Sequence, residues 1–302
     1  MAADIAQRTE LHAFASLTLT DRQFLLGDAA GRPVTLAGCL SLPPGAGPHP
    51  AVVLIHGSGG IGPAMPAWVR QLTSLGIASF VVDGFTGRGL ASTSTDQAQL
   101  GRLAFILDLY RALGVLAGHA AIDPARIALM GFSRGGQAAL YAAMARFQAR
   151  WNTSGIAPAA HLAFYPDCAT TYLEDTRLAP VPVRVFHGLA DDYNTATRAR
   201  AYVARLRAAG ADVAMAEYAG AHHGFDNPLS PGPAIAAGAQ TLRHCTVVET
   251  EPGLLCNSAT GRPFSYDDPC VERDPHVGGN PAAAAAARQD VAAFLRGLFR
   301  LG

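Results

Sequence analysis

The chain alternates between short, almost continuously apolar runs and longer amphipathic ones. Apolar runs at 51–55, 77–82, 127–131, 161–165, 182–187 and 212–218 predict strands. The central ones are apolar at successive rather than alternate positions, the pattern of strands covered on both faces. Ahead of them, Phe14–Thr20 and Val34–Leu42 predict a leading hairpin or edge pair. The intervening runs near 66–75, 98–118, 135–149 and 195–209 predict helices; in the second, Leu103, Ile106, Leu107, Tyr110, Leu113 and Val115 recur with helical period. A closing helix over Ala282–Leu301 follows Pro281, a residue suited to a first helical turn, and carries Val291, Phe294, Leu295 and Leu298 as one apolar stripe. Alternating strands and helices imply an α/β architecture, a mostly parallel central sheet of about eight strands with helices on both faces. The stretch 226–280 breaks the rhythm. It is rich in Pro, Gly and Ala and shows little strand pattern. It reads as an irregular insertion before the last helix of a single domain spanning 1–302. A long segment of this kind is either a lid or wall over a site or a surface excursion that caps the sheet edge.

Composition narrows the function. Hydrophobic residues make up 50% of the 302 and charged ones 15%, ample material for a buried sheet. Basic and acidic residues balance at 23 each, so the basic face that a nucleic-acid partner requires is not expected. No apolar run is long enough to span a membrane. Every strong side-chain cation is Arg; with no Lys in the chain, a P-loop lysine and lysine Schiff-base chemistry are excluded.

The chemistry concentrates in Gly131-Phe132-Ser133-Arg134-Gly135-Gly136, which lies between an apolar run and a helical one. G-x-S-x-G in a strand-to-helix context is the nucleophile-elbow pattern, in which a serine sits on a sharp turn with its hydroxyl held above the sheet. A serine needs a base and a group that orients the base. Two later strands end in the candidates: His187-Gly188-Leu189-Ala190-Asp191-Asp192, then Gly220-Ala221-His222-His223-Gly224-Phe225. The order Ser, Asp, His is that of the α/β-hydrolases. Each candidate lies just past the C-terminal end of a predicted parallel strand, the edge at which open α/β sheets bind ligands.

The three segments G-F-S-R-G-G, H-G-L-A-D-D and G-A-H-H-G-F together resemble the dienelactone hydrolase family, within the α/β-hydrolases, over about Val34 to Asp226 and the last helix. The resemblance implies an α/β-hydrolase fold with Ser133 as nucleophile, Asp191 as acid and His223 as base, ahead of their neighbours Asp192 and His222. It also implies an oxyanion hole made by the backbone N–H groups of Arg134 and, in His56-Gly57-Ser58-Gly59-Gly60, of Ser58 with Gly57 beside it. The dienelactone hydrolases that name the family use a cysteine where this chain has Ser133, which points to the wider set of serine esterases. The expected activity is therefore cleavage of a small-molecule carboxylic ester without metal or organic cofactor. A peptidase or amidase would use the same three residues, and a non-catalytic small-molecule binding protein would share the fold.

A rival reading starts from the same turn. Gly57-x-Gly59-x-x-Gly62 formally matches a dinucleotide-binding loop, with Asp83 at the end of the next strand near the position of a ribose-binding acid. Pro63 and Pro66 crowd the place where the phosphate-binding helix would open, and this reading leaves Ser133, Asp191 and His223 unexplained. For the substrate pocket, Phe85, Arg88, Tyr165 and Cys168 are candidates, with Trp68 as a further wall. Arg88 either clamps a substrate carboxylate or forms an ion pair with Asp83 or Asp167. Five cysteines are present. A disulfide among Cys245, Cys256 and Cys270 would pin the insertion and imply a periplasmic or secreted protein. The first ten residues lack a basic stretch and an apolar core, which taken alone predicts a cytoplasmic one.

Overall fold

The computed structural model describes residues 8–230 and 232–301. Residues 1–7, on which the expectation about a leader largely rests, lie outside the described residues. The strands are β1 (Arg8–Thr18), β2 (Arg32–Leu42), β3 (His49–Ile55), β4 (Ala78–Asp83), β5 (Ile122–Phe132), β6 (His161–Phe164), β7 (Thr170–Thr171), β8 (Val183–Gly188), β9 (Val213–Tyr218), β10 (Ala234–Ile235), β11 (Val247–Glu251), β12 (Leu254–Asn257) and β13 (His276–Val277). The helices are α1 (Asp21–Leu26), α2 (Ala64–Ser74), α3 (Ala104–Ala117), α4 (Arg134–Tyr141), α5 (Ala145–Trp151), α6 (Ala196–Ala208) and α7 (Pro281–Phe299).

The eight strands expected from the apolar runs form one sheet in the order β1-β2-β4-β3-β5-β6-β8-β9. β1 and β2 pair antiparallel, as do β2 and β4; every pair from β4 through β3 to β9 is parallel. The two-residue period of the strands divides their side chains between two cores. Ala51, Val53, Ile55, Ile127 and Leu129 face one layer with α3, α4, α5 and α6. Val52, Leu54, Ala128, Met130 and Phe132 face the other with α2 and α7. Both faces are buried, which is why the central strands read as unbroken apolar runs.

Three helices depart from the sequence expectation. The run 135–149 is two helices, because the backbone between them turns away to pair with the strand-like segment at 177–179. Ala145 N–H donates to the Arg177 carbonyl at 2.9 Å, and Ala179 N–H donates to that of Ala143 at 2.8 Å. The run 98–118 is α-helical only from Ala104, after a single 3₁₀ turn at Gln97–Gln99. Before it, the carbonyls of Gln97, Leu100 and Gly101 point at the guanidinium of Arg134 instead of continuing a helix. Helix α1 was not expected, although Thr20 and Gln23 form a complete capping box at its start.

Arg88 is placed away from the substrate-binding edge, against both expectations. Its guanidinium grips Asp108 of α3 at 2.7 and 2.9 Å and donates to the carbonyls of Gly84 and Leu17, with no side-chain exposure. It is neither a clamp for substrate nor a partner of Asp83 or Asp167; Asp167 pairs with Arg102 instead. The Arg88–Asp108 pair ties the edge strand to α3.

The insertion at 226–280 is more regular than its composition suggests. β11 and β12 form a hairpin, and β11 adds in parallel to β7, so a small three-stranded sheet stands beside the main one. β10 pairs with β13. Buried Glu249 accepts two hydrogen bonds from Arg146 at 2.6 and 2.7 Å, fastening the hairpin to α5. Cys245 and Cys270 form a disulfide across a sequence separation of 25, one of the pairings left open among Cys245, Cys256 and Cys270. Cys39, Cys168 and Cys256 are free. Among the described residues, no helix is long and apolar enough to cross a membrane.

Replacing Asp108 with Ala would strand a buried guanidinium and is expected to cost about 3–5 kcal/mol in urea unfolding. The paired change Arg88→Met with Asp108→Leu should recover most of that loss. A single-variant cost below about 1 kcal/mol would show that the pair behaves like an exposed one.

Candidate active site

Strand β5 runs into the elbow at Ser133, whose φ of 55° and ψ of −116° lie outside the regular regions. An L residue holds that conformation only where its surroundings fix it. Its N–H donates to the Phe164 carbonyl at 3.0 Å, and its own carbonyl accepts from Gln137 N–H at 2.7 Å. The flanking glycines are steric necessities: a Cβ on Gly131 would lie 2.0 Å from the Gly135 carbonyl oxygen, and one on Gly135 would lie 2.4 Å from those of Ile55 and His56. The strand-to-helix turn can close this tightly only without those side chains.

Asp191 and His223 converge on this serine. The loop after β8 carries Asp191 and the loop after β9 carries His223. His223 Nε2 is 2.8 Å from Ser133 Oγ, and His223 Nδ1 is 2.8 Å from Asp191 Oδ2. The other carboxylate oxygen of Asp191 accepts the N–H groups of Tyr193 at 2.9 Å and Asn194 at 2.8 Å. Burial opposes ionisation of Asp191, but the nearby charge of His223 and hydrogen bonds from His187 and His223 outweigh it and bring its pKa down to about 2. The ring of His223 is held between two aromatics: Tyr193 stacks on it at 4.6 Å and Tyr165 meets it edge-on at 4.6 Å. The doubled residues have other work. Asp192 accepts from the backbone and ring of His276 at 2.8 and 2.9 Å and pairs with Arg243, while His222 turns toward His276. Both therefore face the insertion.

The turn after β3 lies against the elbow. Gly57 is so close that a Cβ there would meet the Ser133 Cβ at 3.0 Å. Buried His56 spans the turn: its Nδ1 is 2.7 Å from the Gly57 carbonyl, and its Nε2 accepts from Gly84 N–H at 3.1 Å. Those two roles fix a neutral tautomer, and desolvation lowers the His56 pKa in the same sense. The N–H groups of Ser58 and Arg134 have no acceptor among the described residues. Ser58 is fixed by its carbonyl, which accepts from Thr93 N–H at 2.8 Å and Ser92 Oγ at 3.0 Å.

Two cavities meet at Ser133. One, of about 330 Å³, has walls from Gly57 to Met65, Phe132, Tyr165, Tyr193 and His223, and insertion residues Ala236, Ala239 and Val277. The other, of about 30 Å³, is lined mainly by polar side chains. Of the pocket residues expected from sequence, Tyr165 lines the larger cavity. Phe85 instead packs behind the turn, 4.5 Å from the His56 ring and 5.4 Å from Phe105. Trp68 lies beneath the site and donates its indole N–H to Asp226 at 2.7 Å. Cys168 lines neither cavity; burial pushes its thiol pKa far up, which suits an inert group. Sequence reasoning missed Tyr193, Gln97, Gln137 and buried Asp226. Asp226 holds Tyr165 through its hydroxyl at 2.7 Å, and burial raises its own pKa despite the bonds from Trp68 and Tyr165.

Away from the site, Glu10, His12 and His119 bring one donor atom each within 4.8 Å of one another. His119 Nδ1 accepts the Ala121 N–H, which leaves its proton on Nε2, the nitrogen 3.1 Å from Glu10. That tautomer gives a hydrogen-bonded cluster rather than a ready set of metal ligands.

The folded pKa of Asp191 lies below its unfolded value of about 3.9. Its contribution to stability is therefore complete above that value and drains away as pH falls through about 2. Wild-type stability should decline between about pH 4 and pH 2 more steeply than that of Asp191→Asn, measured by urea midpoints at each pH. Parallel slopes would mean that the carboxylate is not held ionised.

The dienelactone hydrolase family model matches residues 36–249. Solved structures share the architecture. One named m3DLH aligns with a TM-score of 0.61 at 19% identity over 97% of this chain and 99% of its own. A dienelactone hydrolase-like promiscuous phosphotriesterase from metagenomic libraries gives 0.60 at 17%, over 96% of this chain and 98% of its own. Esterase 2 of Thermogutta terrifontis, phosphorylated by paraoxon, gives 0.52 at 19%, over 72% and 86%. Identities this low speak for the fold alone. No curated protein matches the sequence. With the family match running from β2 into β11 and the eight-stranded order of the sheet beside it, the chain belongs to the dienelactone hydrolase family of the α/β-hydrolases.

Proposed function

We propose that the protein is a serine hydrolase that cleaves carboxylic esters through Ser133, His223 and Asp191 and an acyl-enzyme intermediate. The observation that carries this reading is the unbroken hydrogen-bonded line from Asp191 through His223 to Ser133, with 2.8 Å at both steps. Ser133 Oγ attacks the acyl carbon while its proton passes to His223 Nε2. Asp191 holds the Nδ1 proton in place and stabilises the imidazolium that forms. The N–H groups of Ser58 and Arg134 donate to the oxygen that gains charge; each such donor is worth about 10²–10³ in rate. Collapse of the tetrahedral species expels the alcohol, which takes the proton from His223. Water then repeats the sequence on the acyl-enzyme.

The surroundings support this reading. Tyr165 and Tyr193 hold the imidazole in register from two sides. The larger cavity reaches His223, so the leaving oxygen has room beside the group that must protonate it. The insertion supplies part of that cavity's wall, the role of a lid or wall rather than of a distant cap. A phosphotriesterase and a paraoxon-phosphorylated esterase among the proteins of like fold are in keeping with a hydroxyl open to electrophilic esters.

A fluorophosphonate probe is expected to label wild-type protein at Ser133 and to leave Ser133→Ala unlabelled. Turnover of phenyl esters should fall by about 10⁴–10⁶ in Ser133→Ala and by about 10⁴ in Asp191→Asn. Labelling at another residue, or full turnover in Ser133→Ala, would refute the assignment.

A further inference from the structure

We propose that the small polar cavity beside Ser133 is the acyl subsite and that it selects a short 2-hydroxyacyl group, so that the substrates are esters of small 2-hydroxy acids. This rests on the ester-hydrolase reading above and adds the substrate class. The direction of binding follows from the position of the base. His223 lines the larger cavity and not the small one. The leaving oxygen must collect its proton from His223, so the alcohol part lies in the larger cavity. The acyl part is left with the polar one.

Size and chemistry then limit the acyl group. A cavity of about 30 Å³ holds two or three water-sized groups. Its lining includes Gln97, Arg102, Gln137, Tyr193 and Asn194, with Leu242 as its aliphatic member. Gln137, only 3% exposed, leaves its side-chain Nε2 without an acceptor. Its Oε1 accepts no hydrogen bond among the described residues either, and a buried amide left unpaired is costly, a cost that a hydroxyl arriving with the substrate would relieve. Asn194 uses its Nδ2 on the Tyr165 carbonyl, and its Oδ1 takes no hydrogen bond among the described residues. Free acceptors on both amides match the proton of a hydroxyl.

A carboxylate is a poorer match, because it only accepts hydrogen bonds and brings no proton for the free oxygens of Gln137 and Asn194. Arg134 donates to Gln97, Leu100 and Gly101, and Arg102 to Asp167 and Thr170. The N–H groups of Arg134 thus all have acceptors within the protein. An alkyl group of the same size would leave Gln137 unpaired.

Phenyl glycolate and phenyl propanoate exchange a hydroxyl for a methyl at the same position and so test the subsite. The ratio of their kcat/KM values is expected to fall at least about tenfold from wild type to Gln137→Leu. Taking the change in the ratio cancels the intrinsic reactivity of the two esters. Should the Leu variant not fold, Gln137→Met, with a side chain of similar length, repeats the measurement. Calorimetry on Ser133→Ala reads the subsite without turnover: glycolate should bind more tightly than propanoate, and the preference should vanish when Gln137→Leu is added. Turnover of both esters with an unchanged ratio would overturn the subsite and leave the hydrolase reading standing. Absence of turnover with the glycolate preference intact would do the reverse. Loss of both overturns both.

Discussion

A single buried carboxylate organises the C-terminal rim of the sheet. Asp191 has almost no solvent contact, yet it is held ionised by the donors around it: two backbone N–H groups on one oxygen, the imidazole of His223 on the other, and His187 close by at 3.5 Å. An ion in that position cannot relax toward water, so it fixes what surrounds it. It sets the loop after β8, chooses the tautomer of His223 and thereby aims the second ring nitrogen at Ser133. The elbow supplies the other half of the geometry, since its backbone conformation leaves the hydroxyl one place to stand.

Around this centre lies a polar lattice that the sheet alone would not produce. Arg134 follows the serine and sends its side chain to the carbonyls of Gln97, Leu100 and Gly101. Those bonds unwind the start of the predicted second helix and bring Gln97 against Ser58 at 3.0 Å. Gln97 in turn receives its backbone partner from Gln240 of the insertion. The turn beside the serine, the segment before α3 and the insertion are thus one network. Asp192, next in sequence to Asp191, ties Arg243 and His276 into the same assembly.

The sheet and the three residues at its rim were legible because their causes are local. Apolar runs and glycines at fixed offsets announce strands and an elbow whatever else the chain contains. The pocket was not legible, because its walls are set by contacts between segments far apart. Arg88 and Phe85 sit in a segment that follows a strand at the binding edge, but their side chains turn inward to Asp108 and His56. Gln137 looks like one polar position in a helix; only the fold shows it buried beside the serine. The insertion hid a signal that was present. Thr246-Val247-Val248-Glu249-Thr250-Glu251 and Leu254-Leu255-Cys256 flank Pro252-Gly253, and the structure makes a hairpin of them. The capping box at Thr20 was likewise readable, although six residues of helix made little periodic pattern.

Ser133 is the common wall of two unequal chambers, one roomy and greasy, the other tight and polar. A trigonal carbon seated between them offers the hydroxyl one of its two faces and turns the other away. Mirror-image acids then carry the same groups into the narrow chamber in opposite senses about that fixed face, and its uneven lining of side chains meets each sense differently. Any handedness in the product would be set inside that chamber, by the side chains that line it.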